Sequence, residues 1–141
     1  MPELSPEVVL GFDFGLKRMG VAVGQVVTQT ATPLAILEMD RGIPNWDTIG
    51  ALIAEWQAQA LIVGLPLNMD GTEQPITRRA RAFGNSLKKH FHLPVFFVDE
   101  RLTTVAAREI MHAQKKGDAR FAKVDSVSAQ LIVESWFKDR C

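Results

Sequence analysis

The sequence lacks a second cysteine to pair with Cys141, so it cannot form an internal disulfide bond. Its uninterrupted apolar runs, such as Val8–Leu10 and Val95–Val98, are far shorter than the roughly 20 residues that cross a bilayer. The first residues carry neither the basic nor the apolar segment of a signal peptide. We therefore expect one domain over residues 1–141, in the reducing cytoplasm and away from membranes.

A net charge is also absent, because 16 basic and 16 acidic residues cancel. This balance argues against a protein that is held to nucleic acid by bulk charge. The charges are nevertheless segregated, since residues 1–77 sum to −6 and residues 78–123 to +7. Two interpretations of the basic segment stay open, a surface that faces a polyanion and a solvated helix face with a basic loop.

Signals for several other chemistries are missing. A single cysteine offers no pair for zinc, and His90, His92 and His112 have no glutamate at metalloprotease spacing. No serine lies in a Gly-x-Ser-x-Gly motif, and Gly11–Gly15 has neither the lysine nor the Ser/Thr of a phosphate-binding loop. We expect the three histidines to be surface residues.

Strand and helix patterns alternate along the chain. A hairpin of two strands comes first, and Pro33 suits the edge position of the third strand. This order predicts an α/β fold with a mixed sheet that helices cover on both faces. The predicted strands are 8–14, 19–24, 31–38 and 61–65, and a buried strand at 94–98. One helix is predicted to begin after Asn45 and a second at Pro75. Two further helices are predicted at 103–113 and 124–138, and a basic loop at 114–123 connects them.

Acidic residues occupy three unusual places in this pattern. Asp13 lies inside an apolar strand, and Asp99 and Glu100 stand where the strand at 94–98 ends. Asp125 precedes Ala129 by one helical turn and so extends a buried stripe into the first turn of the last helix. That stripe consists of Ala129, Ile132, Val133, Trp136 and Phe137.

Carboxylates that are forced together repel one another, and a divalent cation relieves the repulsion. Hard oxygen ligands such as these suit Mg²⁺ or Mn²⁺. One or two such ions at this place would support hydrolysis of a phosphodiester bond. Structural interpretations remain for each residue: Asp125 could interact with the helix dipole, and Asp99 or Glu100 could form an ion pair. The coincidence of all three places favours a metal site.

Four segments of the chain resemble the YqgF family, which is also called RuvX. They are Gly11–Gly24 (GFDFGLKRMGVAVG), Ile62–Glu73 (IVGLPLNMDGTE), Val98–Thr104 (VDERLTT) and Lys123–Ala129 (KVDSVSA). They occur in the family's order and span nearly the whole chain. The resemblance implies a ribonuclease H-like fold related to the RuvC resolvases, with a five-stranded mixed sheet flanked by helices.

The resemblance also implies a site and an activity. Asp13, Glu100 and Asp125 would be the catalytic, metal-binding acids, and Asp99 a neighbour with a positioning role. The implied function is a nuclease that matures the 5′ end of pre-16S ribosomal RNA. Kinship to RuvC suggests a four-way DNA junction as an alternative substrate.

Basic residues are the candidates for contact with the nucleic acid backbone. Lys17 and Arg18, in the turn directly after Asp13, would hold flanking phosphates, while Arg101 could do so or pair with Asp99. Phe121 is a candidate for base stacking, although packing on the core is the simpler interpretation. Seven further basic residues would bind the nucleic acid backbone at a greater distance from the acids: Arg78, Arg79, Arg81, Lys115, Lys116, Arg120 and Lys123.

Three alternatives to a ribosomal RNA nuclease follow from the sequence. A junction resolvase makes paired cuts and would need a dimer, whereas full use of the apolar helix faces in the core favours a monomer. An RNA-binding ribosome-assembly factor would need the basic residues and leave the acids idle. An actin-like nucleotide-binding domain needs a second lobe, for which 141 residues leave no room.

Overall fold

The computed structural model describes residues 6–100 and 121–140. Within 121–140, it describes the side chains of 127–139. The helix that we predict over 103–113 lies outside the described residues. Within them, five strands and three helices follow one another in the predicted order. Their bounds are β1 Val8–Asp13, β2 Arg18–Gln25, β3 Thr30–Glu38, α1 Trp46–Trp56, β4 Ala60–Leu65, α2 Pro75–Phe91, β5 Val95–Asp99 and α3 Phe121–Arg140.

The five strands form one mixed sheet in the order β3-β2-β1-β4-β5. β1 pairs antiparallel with β2, and β2 pairs antiparallel with β3. β4 lies between β1 and β5 and is parallel to both. Consequently β1, β4 and β5 all end at the same edge of the sheet, which is where ligands of α/β proteins collect.

Helices cover both faces of this sheet, as predicted. On one face, Leu10 and Phe12 of β1 pack in a core with Phe83 and Leu87 of α2, and α1 adds the fully buried Ile49 and several partly buried side chains. On the other face, α3 buries its predicted stripe against Val9, Ile62 and Val98. The stripe residues Ala129, Ile132, Val133, Trp136 and Phe137 all have exposed fractions of 5% or less.

The helices begin and end where local chemistry allows. The Asn45 side chain accepts hydrogen bonds from the backbone N–H groups of Asp47 and Thr48, which caps α1. Pro75 opens α2, and Gln74 and Thr77 form a reciprocal capping box there. No helix in the described part of the chain is long and apolar enough to cross a membrane.

Two details differ from the prediction. The strand at 94–98 is only partly buried, because β5 ends the row of strands: Val98 is buried, while Phe96 and Phe97 keep 37% and 38% of their surfaces exposed. The last helix begins at Phe121 instead of residue 124, so the end of the predicted basic loop is helical. Phe121 therefore does not lie in a loop.

Candidate active site

The sheet brings two of the predicted acids to the same edge. Asp13 is the last residue of β1, and Glu100 follows the last residue of β5. The Glu100 N–H donates to the Leu65 carbonyl at 3.0 Å, which extends the pairing of β4 and β5 to Glu100 itself. β4 separates the two acids by one strand.

Strand alternation then places both side chains on the α3 face. Asp13 shares this face with Val9, which packs against α3, and with Gly11, where an added Cβ would lie 3.3 Å from the Ala129 carbonyl oxygen. Glu100 follows Val98 by two residues, and Val98 also packs against α3. Asp99 falls between them on the other face and is exposed.

Gly64 of β4 is the residue over which the Glu100 side chain lies. A Cβ at position 64 would lie 2.6 Å from Cγ and 2.8 Å from Cδ of Glu100. Real Cβ atoms essentially never make contacts that short, so any side chain here would push Glu100 away. The register pairs Val63 with Phe12, so the next step along the strands places Gly64 beside Asp13. Sequence reasoning missed this role of Gly64.

The environment of Glu100 opposes a bare negative charge. Its exposed fraction is 6%. Burial, and after it the charge of Asp13, a hydrogen bond to Asp13 and the charge of Asp99, together raise the pKa of Glu100 from 4.5 to about 10. Without a cation, the pair of Asp13 and Glu100 therefore retains a proton at neutral pH.

The third predicted acid belongs to α3. The backbone of Asp125 lies in this helix, one turn before Ala129, while its side chain is outside the described residues. Near its end, α3 places Phe137 beside Gly24, the β2 partner of Val9 at the start of β1. Two turns earlier in the helix, Ala129 lies beside Gly11, which is further along β1. Followed back toward its first residue, α3 thus leads to the edge where Asp13 stands.

The residues at this edge fit a divalent cation. Asp13 and Glu100 offer hard carboxylate oxygens, and Gly64 leaves the space in which they meet. Among the described side chains, no group of three His, Cys, Asp or Glu residues gathers as a metal site. Asp125 is the candidate for a third ligand.

Lys17 lies in the turn that follows β1, Arg18 is the first residue of β2, and both side chains are exposed. The backbone of this turn is held by the loop after β3, because Met39 donates to the Lys17 carbonyl and Gly42 to the Leu16 carbonyl, each at 2.9 Å. Two exposed cations therefore lie on an anchored stretch of backbone, four and five residues after Asp13.

The three arginines of α2 differ from one another. Arg78 is exposed, whereas Arg81 forms an ion pair with Glu73 at 2.7 Å. Arg79 donates from Nη2 to the Arg41 carbonyl at 2.6 Å. Of the remaining predicted contacts, the Lys123 backbone lies in α3, and Arg101, Lys115, Lys116 and Arg120 lie outside the described residues.

The sequence matches a family described as RuvX, Holliday junction resolvase, over residues 7–139. The chain belongs to the RuvX family. A relative from Glaesserella parasuis, named "Putative pre-16S rRNA nuclease", is 52% identical over 140 residues that cover 95% of this chain and 98% of the relative. A relative of the same name from Saccharophagus degradans is 51% identical and covers 96% of each chain. The prediction of the family is confirmed, and with it the prediction of a nuclease, a hydrolase of phosphodiester bonds.

Solved structures share the fold of this RuvX chain. RuvC of Thermus thermophilus, in complex with a Holliday junction, superimposes with a TM-score of 0.56 at 15% identity, covering 94% of each chain. The fowlpox virus resolvase, in complex with junction DNA, gives 0.59 at 12% identity and covers 94% of this chain and 98% of the resolvase. The predicted ribonuclease H-like fold is therefore confirmed.

Proposed function

We propose that this RuvX chain is a divalent-metal-dependent nuclease that cuts precursor 16S ribosomal RNA, with Asp13, Glu100 and Asp125 as its metal-binding acids. One observation carries the proposal: Asp13 and the buried Glu100 meet over Gly64 at the carboxyl edge of the sheet. Two acids in such a place destabilise the fold unless their charge is compensated.

Each acid has a distinct part in this proposal. Asp13, in the middle of the edge and partly exposed, faces both the solvent and Glu100. The Glu100 side chain packs directly on the backbone of Gly64, and the Glu100 N–H donates a hydrogen bond to the Leu65 carbonyl. Asp125 completes the set from the first turns of α3. Mg²⁺ or Mn²⁺, when bound to these carboxylates, lowers the pKa of water and neutralises charge on the phosphate.

Lys17 and Arg18 hold the substrate in this proposal. They follow Asp13 by four and five residues on a stretch of anchored backbone, so they present positive charge at the same end of β1 as Asp13. Contacts of this kind go to phosphates and do not read sequence. Specificity for a cleavage position must therefore come from other parts of the chain or from the fold of the RNA.

The names of the relatives favour precursor ribosomal RNA as the substrate. Precursor ribosomal RNA is found in the cytoplasm of bacteria, and a single cut needs only one protomer. We therefore extend the proposal to a cytoplasmic monomer that consists of one domain. The description of the family favours a second candidate, symmetric cutting of a four-way DNA junction by a dimer.

Cleavage assays test the proposal directly. The purified protein is incubated with Mg²⁺, Mn²⁺ or EDTA and three labelled substrates: RNA with the 5′ leader of pre-16S ribosomal RNA, single-stranded DNA and a four-way DNA junction. Asp13→Asn and Glu100→Gln are compared with Glu55→Gln, which alters an exposed acid of α1 on the opposite face of the sheet.

We expect metal-dependent RNA cleavage that both site variants lose by at least about 1,000-fold and that the Glu55→Gln control retains. Symmetric nicking of the junction with little cutting of RNA would replace the proposal with the second candidate. If all variants bind RNA equally well and no substrate is cut, the protein is an assembly factor and the nuclease proposal is wrong.

A further inference from the structure

A cavity lies on the face of the sheet opposite the acids. Its volume is about 240 Å³, and it lies between the start of α1, α2 and the loop that follows β3. The side chains that matter for its chemistry are Phe14, Ile43, Trp46, Arg79, Ala82 and Phe83. We call this cavity the Arg79 pocket.

Aromatic rings from three parts of the chain build one wall of the pocket. Phe14 follows β1, Trp46 begins α1 and Phe83 lies in α2. The Phe83 ring centroid lies 5.4 Å from that of Phe14 and 5.9 Å from that of Trp46, with the Trp46 ring nearly parallel to it. His90 stacks on Trp46 at a centroid distance of 3.9 Å, and the surface that the three rings still present to the pocket suits a planar, apolar ligand group.

Arg79 supplies a positive charge beside this wall. Its Nη2 donates to the Arg41 carbonyl, and Gly42, at a φ of +86°, brings the loop backbone against the guanidinium. No carboxylate among the described residues pairs with Arg79, in contrast to Arg81, which is bound to Glu73. The guanidinium is thus oriented by a neutral carbonyl and keeps its charge for an anion.

The pocket lies close to the site of the proposed reaction. Phe14 follows Asp13 in the chain, so their Cα atoms are about 3.8 Å apart and their side chains point to opposite faces of the sheet. A nucleic acid strand that crosses the end of β1 can therefore present one phosphate to the acids and its neighbouring nucleotide to the pocket. A cavity below the ~300–1,000 Å³ of drug-sized sites has room for a single base, with its phosphate at the mouth, and not for a base pair.

We propose that the Arg79 pocket binds one unpaired nucleotide of the strand that is cut, with its base against Trp46 and Phe14 and its phosphate on Arg79. This inference rests on the proposed nuclease function and adds to it a preference for single-stranded substrate next to the cut. The aromatic wall and the uncompensated guanidinium together match a base and its phosphate, and neither alone would do so.

Binding measured without cleavage tests the pocket separately from the nuclease. In EDTA, the affinity of the full-length protein for a fluorescent single-stranded RNA is measured by anisotropy over a range of salt concentrations. Arg79→Gln is compared with Lys89→Gln, which removes one charge from an exposed lysine of the same helix outside the pocket. Ala82→Leu fills the cavity and leaves every charge in place.

We expect Arg79→Gln and Ala82→Leu each to weaken single-strand binding about tenfold and to leave duplex RNA binding within twofold. Loss of one phosphate contact should reduce the slope of log K against log salt by about 0.7 in Arg79→Gln and not in Ala82→Leu or Lys89→Gln. Equal affinities and slopes for Arg79→Gln and Lys89→Gln would overturn the proposal.

Nuclear magnetic resonance locates the ligand. Adenosine 5′-monophosphate should shift the indole N–H signal of Trp46, identified by its loss in Trp46→Phe, and the shift should vanish in Arg79→Gln. Shifts confined to other residues would overturn the pocket even if the protein cuts RNA. A Trp46 shift in a protein that cuts nothing would support the pocket and contradict the nuclease.

Discussion

The Glu100 side chain occupies the space that a Cβ on Gly64 would need. Gly64 lies in β4 and Glu100 directly follows the neighbouring parallel strand β5, and the ideal Cβ position at residue 64 is 2.6 Å from the Glu100 Cγ. The same position is 2.5 Å from the Ile132 Cδ1 of α3. A strand glycine here therefore sets both the approach of the acid to Asp13 and the approach of the last helix.

We predict that Gly64→Ala disrupts the proposed site. The methyl group cannot fit without moving Glu100 or α3, so cleavage should fall about 100-fold and Mn²⁺ affinity about tenfold or more. Overpacking of this kind costs roughly 1–3 kcal/mol of stability. RNA cleavage, Mn²⁺ titration calorimetry and urea unfolding measure the three effects.

Gly50→Ala serves as the control for that substitution. Gly50 lies within α1, where the nearest described atoms to a Cβ would be those of the Phe91 ring, at 3.3 and 3.8 Å. Alanine favours helix by up to about 1 kcal/mol over glycine, which offsets a shift of the Phe91 ring by a few tenths of an ångström, so the control should stay within about 1 kcal/mol of the native chain. Equal losses of cleavage in both variants would show that the proximity of Gly64 to Glu100 is unimportant.

A second prediction concerns stability against pH. The pKa of Glu100 is about 10 in the folded protein and near 4.5 in the unfolded chain. The folded state therefore holds a proton that the unfolded chain releases, and metal-free protein loses stability as pH rises from 4.5 toward 10. The slope from this one group is about 1.4 kcal/mol per pH unit.

Glu100→Gln removes this dependence, because glutamine fills the same space and has no proton to lose. Urea unfolding in EDTA at pH 5.5 and 7.5 should show the variant gaining about 3 kcal/mol on the native protein over that interval. Addition of Mn²⁺ at pH 7.5 should stabilise the native protein and leave the variant unchanged. A constant difference between the two proteins at both pH values would contradict the buried, protonated state of Glu100.

The elements of the fold were predictable because their patterns are local. Apolar runs marked β1 and β4, and Asn45 and Pro75 marked the starts of two helices. The stripe from Ala129 to Phe137 predicted the buried face of α3 correctly, since helical spacing alone determines which residues share a face. The exposure of β5 was not predictable, because the position of a strand in the sheet depends on long-range pairing.

The site was predictable only in part, for the same reason. The unusual position of Asp13 in an apolar strand is visible in the sequence, but the choice between Asp99 and Glu100 rested on a family resemblance. The structure supplies a physical criterion, because Glu100 shares the α3 face with Asp13. No local signal distinguished Gly64 from other strand glycines, since its role depends on a residue 36 positions away in the chain.

A third prediction concerns the cap of α1, which carries Trp46 of the Arg79 pocket. Asn45→Ala removes the side-chain acceptor for two backbone N–H groups and should cost about 1 kcal/mol of stability. Asn45→Asp keeps an acceptor at this place and should stay within about 0.5 kcal/mol of the native protein. Thermal unfolding of the three proteins decides, and equal losses in both variants would show that the cap is not the cause.

The last prediction separates the two adjacent acids at the end of β5. Glu100→Gln removes a buried carboxylate that meets Asp13, whereas Asp99→Asn removes an exposed one on the other face of the sheet. Cleavage should therefore fall at least about 1,000-fold in the first variant and less than about tenfold in the second, which weakens the negative field at Glu100 and leaves both proposed ligands in place. Steady-state kinetics with Mg²⁺ measure both, and a larger loss in Asp99→Asn would reverse the assignment of the two residues.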